Sequence, residues 1–214
     1  MVNKDLKRRI IEIAYKNKLS HLGSFMSCVD AIESIFATKA PDDIFIMSNG
    51  HASLAQYVVL EKYHGHDAEA LFKKHGGHPH LDPENHIWCS TGSLGMGISV
   101  AVGRALANPS RKVYVMLSDG ECAEGVVWES LRYINDKGIK NIHIVVVHNG
   151  YAAYHEVELD ALKARLAGFI PLDQLTLVVN AQLATEAFPF LKGLNAHYHI
   201  MKEHDYPIAL ALTE

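Results

Sequence analysis

An acid and an amide thirty positions apart, Asp119 and Asn149, each stand just beyond a continuous apolar run, residues 113–117 and 142–147. Runs of that kind read as strands covered on both faces. In an open parallel sheet the carboxyl ends of such strands gather along one edge, where ligands bind. Asp119 offers a hard anionic oxygen, Asn149 a neutral amide oxygen, and Gly120 lets a phosphate approach the backbone. That donor set suits a divalent cation sharing a diphosphate, because Mg²⁺ takes few protein oxygens and leaves the rest to phosphates and water. Each residue also has a plainer reading. Asp119 is a favoured helix N-cap, and Asn149-Gly150 is a favoured turn. The paired strand ends favour the metal–diphosphate reading over either.

A second group of residues surrounds glycines. Gly92, Gly95 and Gly97 open a helix-like segment without the Rossmann spacing, and no P-loop lysine follows them. Such a loop can still receive phosphate on its free amides. The chain carries 14 histidines. His75, His78 and His80 admit a zinc reading, but they lack a companion Cys or His pair of familiar spacing. His64, His66, His86, His197 and His199 read as surface or packing residues. His21, His51 and His78 each lie in a glycine-flanked motif, where an imidazole can donate, accept and change charge near neutral pH.

The elements that must position these groups alternate helix and strand. Residues 4–17 place Leu6, Ile10, Ile13 and Ala14 at helical spacing, with Lys and Arg opposite. Helices are expected over 26–39, 52–63, 67–74, 97–107 and 184–191. Strands are expected over 43–47, 113–117, 142–147, 175–179 and 208–212. The pattern predicts one α/β domain over residues 1–214, with a mostly parallel sheet flanked by helices on both faces. Of the 214 residues 49% are apolar, enough for a substantial core, and the net charge of −4 is scattered, which speaks against a nucleic-acid surface. Cys28, Cys89 and Cys122 form no CxxC and no even set, as expected of a reducing cytoplasm. No apolar run is long enough to span a bilayer, and the polar N-terminus does not read as a signal peptide.

Six motifs in order carry a resemblance. They are Ser20-His21-Leu22-Gly23, Ser48-Asn49-Gly50-His51-Ala52, Gly77-His78-Pro79, Thr91-Gly92-Ser93-Leu94-Gly95-Met96-Gly97, Asp119-Gly120 answered by Asn149, and Glu124-Gly125 followed by Trp128-Glu129. Together they resemble the transketolase family, in its thiamine-diphosphate-binding N-terminal half. The resemblance fades after Tyr151, and no counterpart aligns there for the late histidine of family members. Ser118 and Ser93 stand where relatives more often have Gly and Pro.

The resemblance implies Mg²⁺ on Asp119, Asn149 and the Tyr151 carbonyl. It implies thiamine diphosphate against His51, Gly92, Ser93, Leu94, Gly120 and Glu124. His21, His51 and His78 would serve catalysis by binding sugar hydroxyls and carbonyl and assisting proton transfer. Two-carbon ketol transfer between sugar or sugar-phosphate substrates is the implied reaction. The glutamate that activates the cofactor lies in such enzymes on a pyrimidine-binding domain, which this chain does not resemble. The chain therefore looks like the N-terminal half of a split transketolase, inactive without a pyrimidine-domain partner and assembling as a two-plus-two hetero-oligomer through the face around Glu124. Two alternatives are a non-catalytic scaffold and a deoxyxylulose-phosphate-synthase-like enzyme subunit.

Overall fold

Four short apolar segments line up side by side as a parallel sheet in the computed structural model, which describes residues 2–152, 155–179 and 186–214. Strands β1 (Ile44–Met47), β2 (Val113–Ser118), β3 (Ile142–Val147) and β4 (Leu175–Val178) pair in that order, every neighbour parallel. The register sets Ile44 beside Val113, Val113 beside Ile142, and Ile144 beside Leu175. Alternate side chains enter two separate cores. Phe45, Met47, Met116, Val145 and Val147 face one, while Ile44, Ile46, Val115, Leu117, Ile144 and Val146 face the other. Both faces are buried, which is why β2 and β3 read as unbroken apolar runs.

Helices cover each face. Helices α1 (Lys4–Lys16), α2 (Leu22–Thr38) and α3 (Ser53–His64) pack on the first core. On the second lie α5 (Met96–Ala107), α6 (Gly125–Lys137) and α7 (Leu159–Ala167). The short α4 (Ala68–His75) follows α3, its first turn capped by Asp67, whose side chain accepts from the Ala70 amide. The face expected for α1 is the buried one, joined by Ile11 and by Lys7, which pairs with Asp30 of α2. The expected α/β architecture with helices on both faces is what the structure shows.

Three expectations differ. Residues 208–212 form no strand; they lie in or just beyond helix α8 (Asp205–Ala211), with Ala209 buried and Ile208 42% exposed. The alternation Ile-Ala-Leu-Ala-Leu suits a strand, but Ala and Leu are also the strongest helix formers. Pro207 falls in the first helical turn, where its missing N–H costs nothing. The Asp205 carboxylate accepts from the Lys202 amide at 2.9 Å and so fixes the turn that leads into the helix. Of the helix expected over 184–191, residues 184 and 185 lie outside the described residues. Residues 187–190 are turn and bend, with Phe188 fully buried.

Helix α2 also starts earlier than expected. Its first residue is Leu22, so His21 sits at the N-cap with φ +68, a left-handed conformation for a non-glycine residue. That start holds His21 over the sheet edge rather than in a free loop.

Candidate functional site

The carboxyl ends of β2 and β3 are joined by one buried carboxylate. Asp119 is 2% exposed, and its Oδ2 accepts from the Asn149 amide at 3.0 Å and the Gly150 amide at 2.8 Å. Its Oδ1 accepts from Gly120 N at 2.9 Å, which leaves that oxygen open to a further partner. Burial pushes the Asp119 carboxyl up, and the three amides oppose that rise. The Asn149 Oδ1 accepts from the Tyr151 amide at 3.0 Å, the expected turn. Both plainer readings therefore hold locally. The same bonds bring Gly120 and Asn149 together across two strands, which neither plain reading requires.

A second acid, which no sequence motif singles out, organises the neighbouring turns. Glu121 is fully buried; its Oε1 accepts from Ser48 Oγ at 2.6 Å and Gly95 N at 2.8 Å, and its Oε2 from Ser118 N at 2.9 Å. Ser48 Oγ in turn accepts from Gly97 N at 3.1 Å. A Cβ on Gly97 would lie 2.6 Å from the Ser48 Cβ, so the glycine is what permits this approach. Gly50 does the same for Thr91, whose Oγ1 would stand 2.2 Å from an added Cβ. The Thr91 amide and hydroxyl both donate to the Pro79 carbonyl, which ties the loop of residues 92–94 to the segment carrying His78. Trp128 fixes the far side by donating Nε1–H to the Cys122 carbonyl at 2.9 Å. The position of Glu121, two residues beyond Asp119, is its one signal in the sequence, and nothing in composition or periodicity marks it.

The histidines converge. The His21 and His51 rings lie 5.7 Å apart, and His197 approaches them to 4.4 and 5.8 Å, measured between centroids. Burial, with the charges of His197 and His78, lowers His21 to about 4. Burial and the other three histidines lower His51 to about 3. Both rings are therefore neutral at physiological pH, able to donate at one nitrogen and accept at the other. Ser20 Oγ lies 2.7 Å from His21 Nδ1 and orients that ring. His78 is exposed, yet near enough for its charge to act on both. The unexpected member is His197, which reads from sequence as a surface or packing residue. The His21 amide donates to the His197 carbonyl at 3.1 Å, a pairing 176 positions apart that, with the contact between the two rings, holds His197 at the site. Burial lowers its pKa too.

A cavity of about 300 Å³ opens beside these groups, lined among others by Gly23, Asn149, Tyr151, Lys192, Gly193 and His197. Asp119 lines a second cavity of about 320 Å³ with Cys122, His155, Glu156 and Arg165. Gly92, Ser93 and Leu94 are exposed and line neither; Glu124 is half-buried at the N-cap of α6. Among the described residues no three His, Cys, Asp or Glu side chains converge as metal ligands, and His75 of the zinc reading is held by Asp82 at 3.0 Å. The buried polar atoms without a partner among the described residues include Asn49 Oδ1 and His148 Nδ1, each just past a strand end. The oxygens gathered at the β2 and β3 ends, one carboxylate and one amide, fit a hard cation that completes its shell from phosphate and water.

Open parallel α/β domains bind ligands where the strands end, and Asp119, Asn149 and His51 follow the ends of β2, β3 and β1. Residues 9–158 match the family described as "Transketolase, thiamine diphosphate binding domain". The chain belongs to the transketolase family. It is 30% identical over 163 residues to an apulose-4-phosphate transketolase subunit of Phocaeicola vulgatus, covering 67% of this chain and 58% of that one. It is 31% identical over 150 residues to the 1-deoxy-D-xylulose-5-phosphate synthase of Fusobacterium nucleatum, covering 68% of this chain and 24% of the synthase. The chain thus spans less than two thirds of either relative. The fold is shared with the transketolase of Leishmania mexicana at a TM-score of 0.65 and 22% identity, covering 78% of this chain and 30% of that one.

Proposed function

We propose that this chain is the diphosphate-binding subunit of a two-chain transketolase, a single domain that holds Mg²⁺ and thiamine diphosphate and completes its site with a pyrimidine-domain partner. The observation that carries it is the Asp119 carboxylate spanning the ends of β2 and β3 beside the His21–His51–His197 group. Asp119, Asn149 and the Tyr151 carbonyl would hold the cation. Gly120 and the loop of residues 92–94 would lie against the diphosphate and ring, with His51 and Glu124 nearby. When bound, thiamine diphosphate supplies a nucleophilic carbon and a sink for the carbanion left by C–C cleavage.

The chain's own residues do the rest. His21 and His51, both neutral, act with His78 to bind hydroxyls and the carbonyl of a sugar or sugar phosphate and to move protons at its oxygens. His197 joins them from the lining of the adjoining cavity, where Lys192 adds positive charge. The two-chain reading is supported by a relative that is itself named as one subunit of a transketolase. A cytoplasmic setting fits the three free, buried cysteines. Among the described residues no helix is long and apolar enough to cross a membrane.

The test is reconstitution. The chain alone, with cofactor and Mg²⁺, is expected to be inactive. Activity should appear on adding a pyrimidine-domain chain, in a two-plus-two complex by light scattering. Robust ketol transfer by the isolated chain would overturn the split-site reading. Similarity to 1-deoxy-D-xylulose-5-phosphate synthase supports a second reading, in which the chain is a subunit of a deoxyxylulose-phosphate-synthase-like enzyme. Identification of the product made by the assembled enzyme would separate the two.

A further inference from the structure

Four donors from three separate segments end on one buried side chain. Glu121 receives the Ser48 hydroxyl, the Gly95 amide, the Ser118 amide and, more weakly at 3.4 Å, the Ser118 hydroxyl. The segments differ in role. Ser48 precedes the turn Gly50–Ala52 that carries His51; Gly95 closes the loop of residues 92–94; Ser118 ends β2 just before Asp119. Ser48 also takes the Gly97 amide, so both ends of the tight stretch from Gly95 to Gly97 are anchored through this one carboxylate. Gly95 itself is left-handed, with φ +77, and a Cβ there would meet Val126 and Val127 at 3.0 Å. The loop is exposed just before Gly95 and has few other restraints among the described residues.

We infer that Glu121 is a positioning residue: it clamps the glycine loop and the ends of β1 and β2 in one register, and so presets the surface that receives the cofactor. This rests on the cofactor reading above. The ionised carboxylate is suited to the task because each of its oxygens can accept two hydrogen bonds and neither donates. A glutamine of the same shape fails on one side. Its NH₂ group must face either the Gly95 amide or the Ser118 amide, donor against donor. Nothing in the geometry gives Glu121 a surface of its own toward substrate, so it acts through the turns it holds.

The test compares wild type, Glu121→Gln and Ser48→Ala by amide hydrogen exchange and by calorimetric titration with thiamine diphosphate and Mg²⁺. In Glu121→Gln, exchange over residues 92–97 should rise at least about tenfold, as expected for a lost charge-assisted bond, while α1 and β4 stay protected. Ser48→Ala should show a smaller rise, since the bonds to Gly95 and Ser118 remain. Where wild type binds the cofactor, Glu121→Gln should weaken binding by about tenfold or more. Unchanged exchange at residues 92–97, exchange raised equally along the whole chain, or wild-type affinity in Glu121→Gln would each overturn the inference. Wild type that binds no cofactor, tested with the pyrimidine-domain partner present, would instead overturn the cofactor reading.

Discussion

Two histidine groups sit at opposite edges of the same sheet, and they are built for different ends. At the carboxyl edge, His21, His51 and His197 come from three distant segments, spaced 4.4–5.8 Å between ring centroids and backed by the joined strand ends. At the amino edge, His64 and His86 stack face to face at 3.7 Å, with His66 beside them. These flank a smaller cavity of about 170 Å³ lined also by Phe36, Lys39, Asp42, Trp88 and Arg111. Burial lowers the pKa of His21, His51 and His197 at one edge and of His64 and His86 at the other. What separates them is strand direction. The carboxyl edge faces the N-terminal ends of α2, α5 and α6, whose positive dipole ends favour a bound anion. The amino edge faces the last turn of α3, which carries His64 itself. A cluster of imidazoles therefore says little until its edge of the sheet is known.

The sharpest challenge to this contrast is Asp119→Ala. It removes the acceptor for three partly buried amides, and each group left unsatisfied costs up to about 1–3 kcal/mol. Urea unfolding should show a loss of several kcal/mol, and calorimetry should show no Mg²⁺-dependent cofactor binding by the assembled enzyme. Unchanged affinity would remove Asp119 from the metal site.

Next in size are the histidine variants. His21→Ala, His51→Ala or His78→Ala should lower turnover of the assembled enzyme by roughly 10²–10⁴, with melting temperature moved little. His64→Ala and His86→Ala should leave turnover unchanged. Equal losses at both edges would erase the distinction between them.

Acid offers a third measure. A histidine held at about 4 or 3 in the fold but near 6.5 when unfolded binds its proton more weakly in the folded state. Stability should therefore fall as pH drops below about 6.5 and level off near the folded values. In a paired His21→Asn, His51→Asn variant this part of the slope should shrink in acid-unfolding curves; the lowered His197 would keep a residue of it. Removal of the more exposed His64 should change the slope less. The smallest effect is expected from His64→Ala on stability at neutral pH, within about 0.5 kcal/mol by chemical denaturation.

Much of the fold is legible in the sequence because periodicity reports burial directly. The unbroken runs of β2 and β3 fit strands buried on two faces, and α1 announces its inner face through Leu6, Ile10, Ile13 and Ala14. The segment ending at Leu212 reads as a strand yet folds as a helix, because its residues satisfy both periods and the neighbours that select helix lie elsewhere in the chain.

The sequence by itself determined the family, the α/β alternation of elements, and the pairing of Asp119-Gly120 with Asn149, since motif spacing and local apolar pattern are properties of contiguous chain. Tertiary structure alone decided the partners that span long separations. His197 meets His21 through a backbone bond and a ring contact, and Glu121 gathers Ser48 and Gly95 from 73 and 26 positions away. Hydrogen bonds of that reach leave no period in the sequence, because any buried acid can accept from any donor that the fold delivers to it.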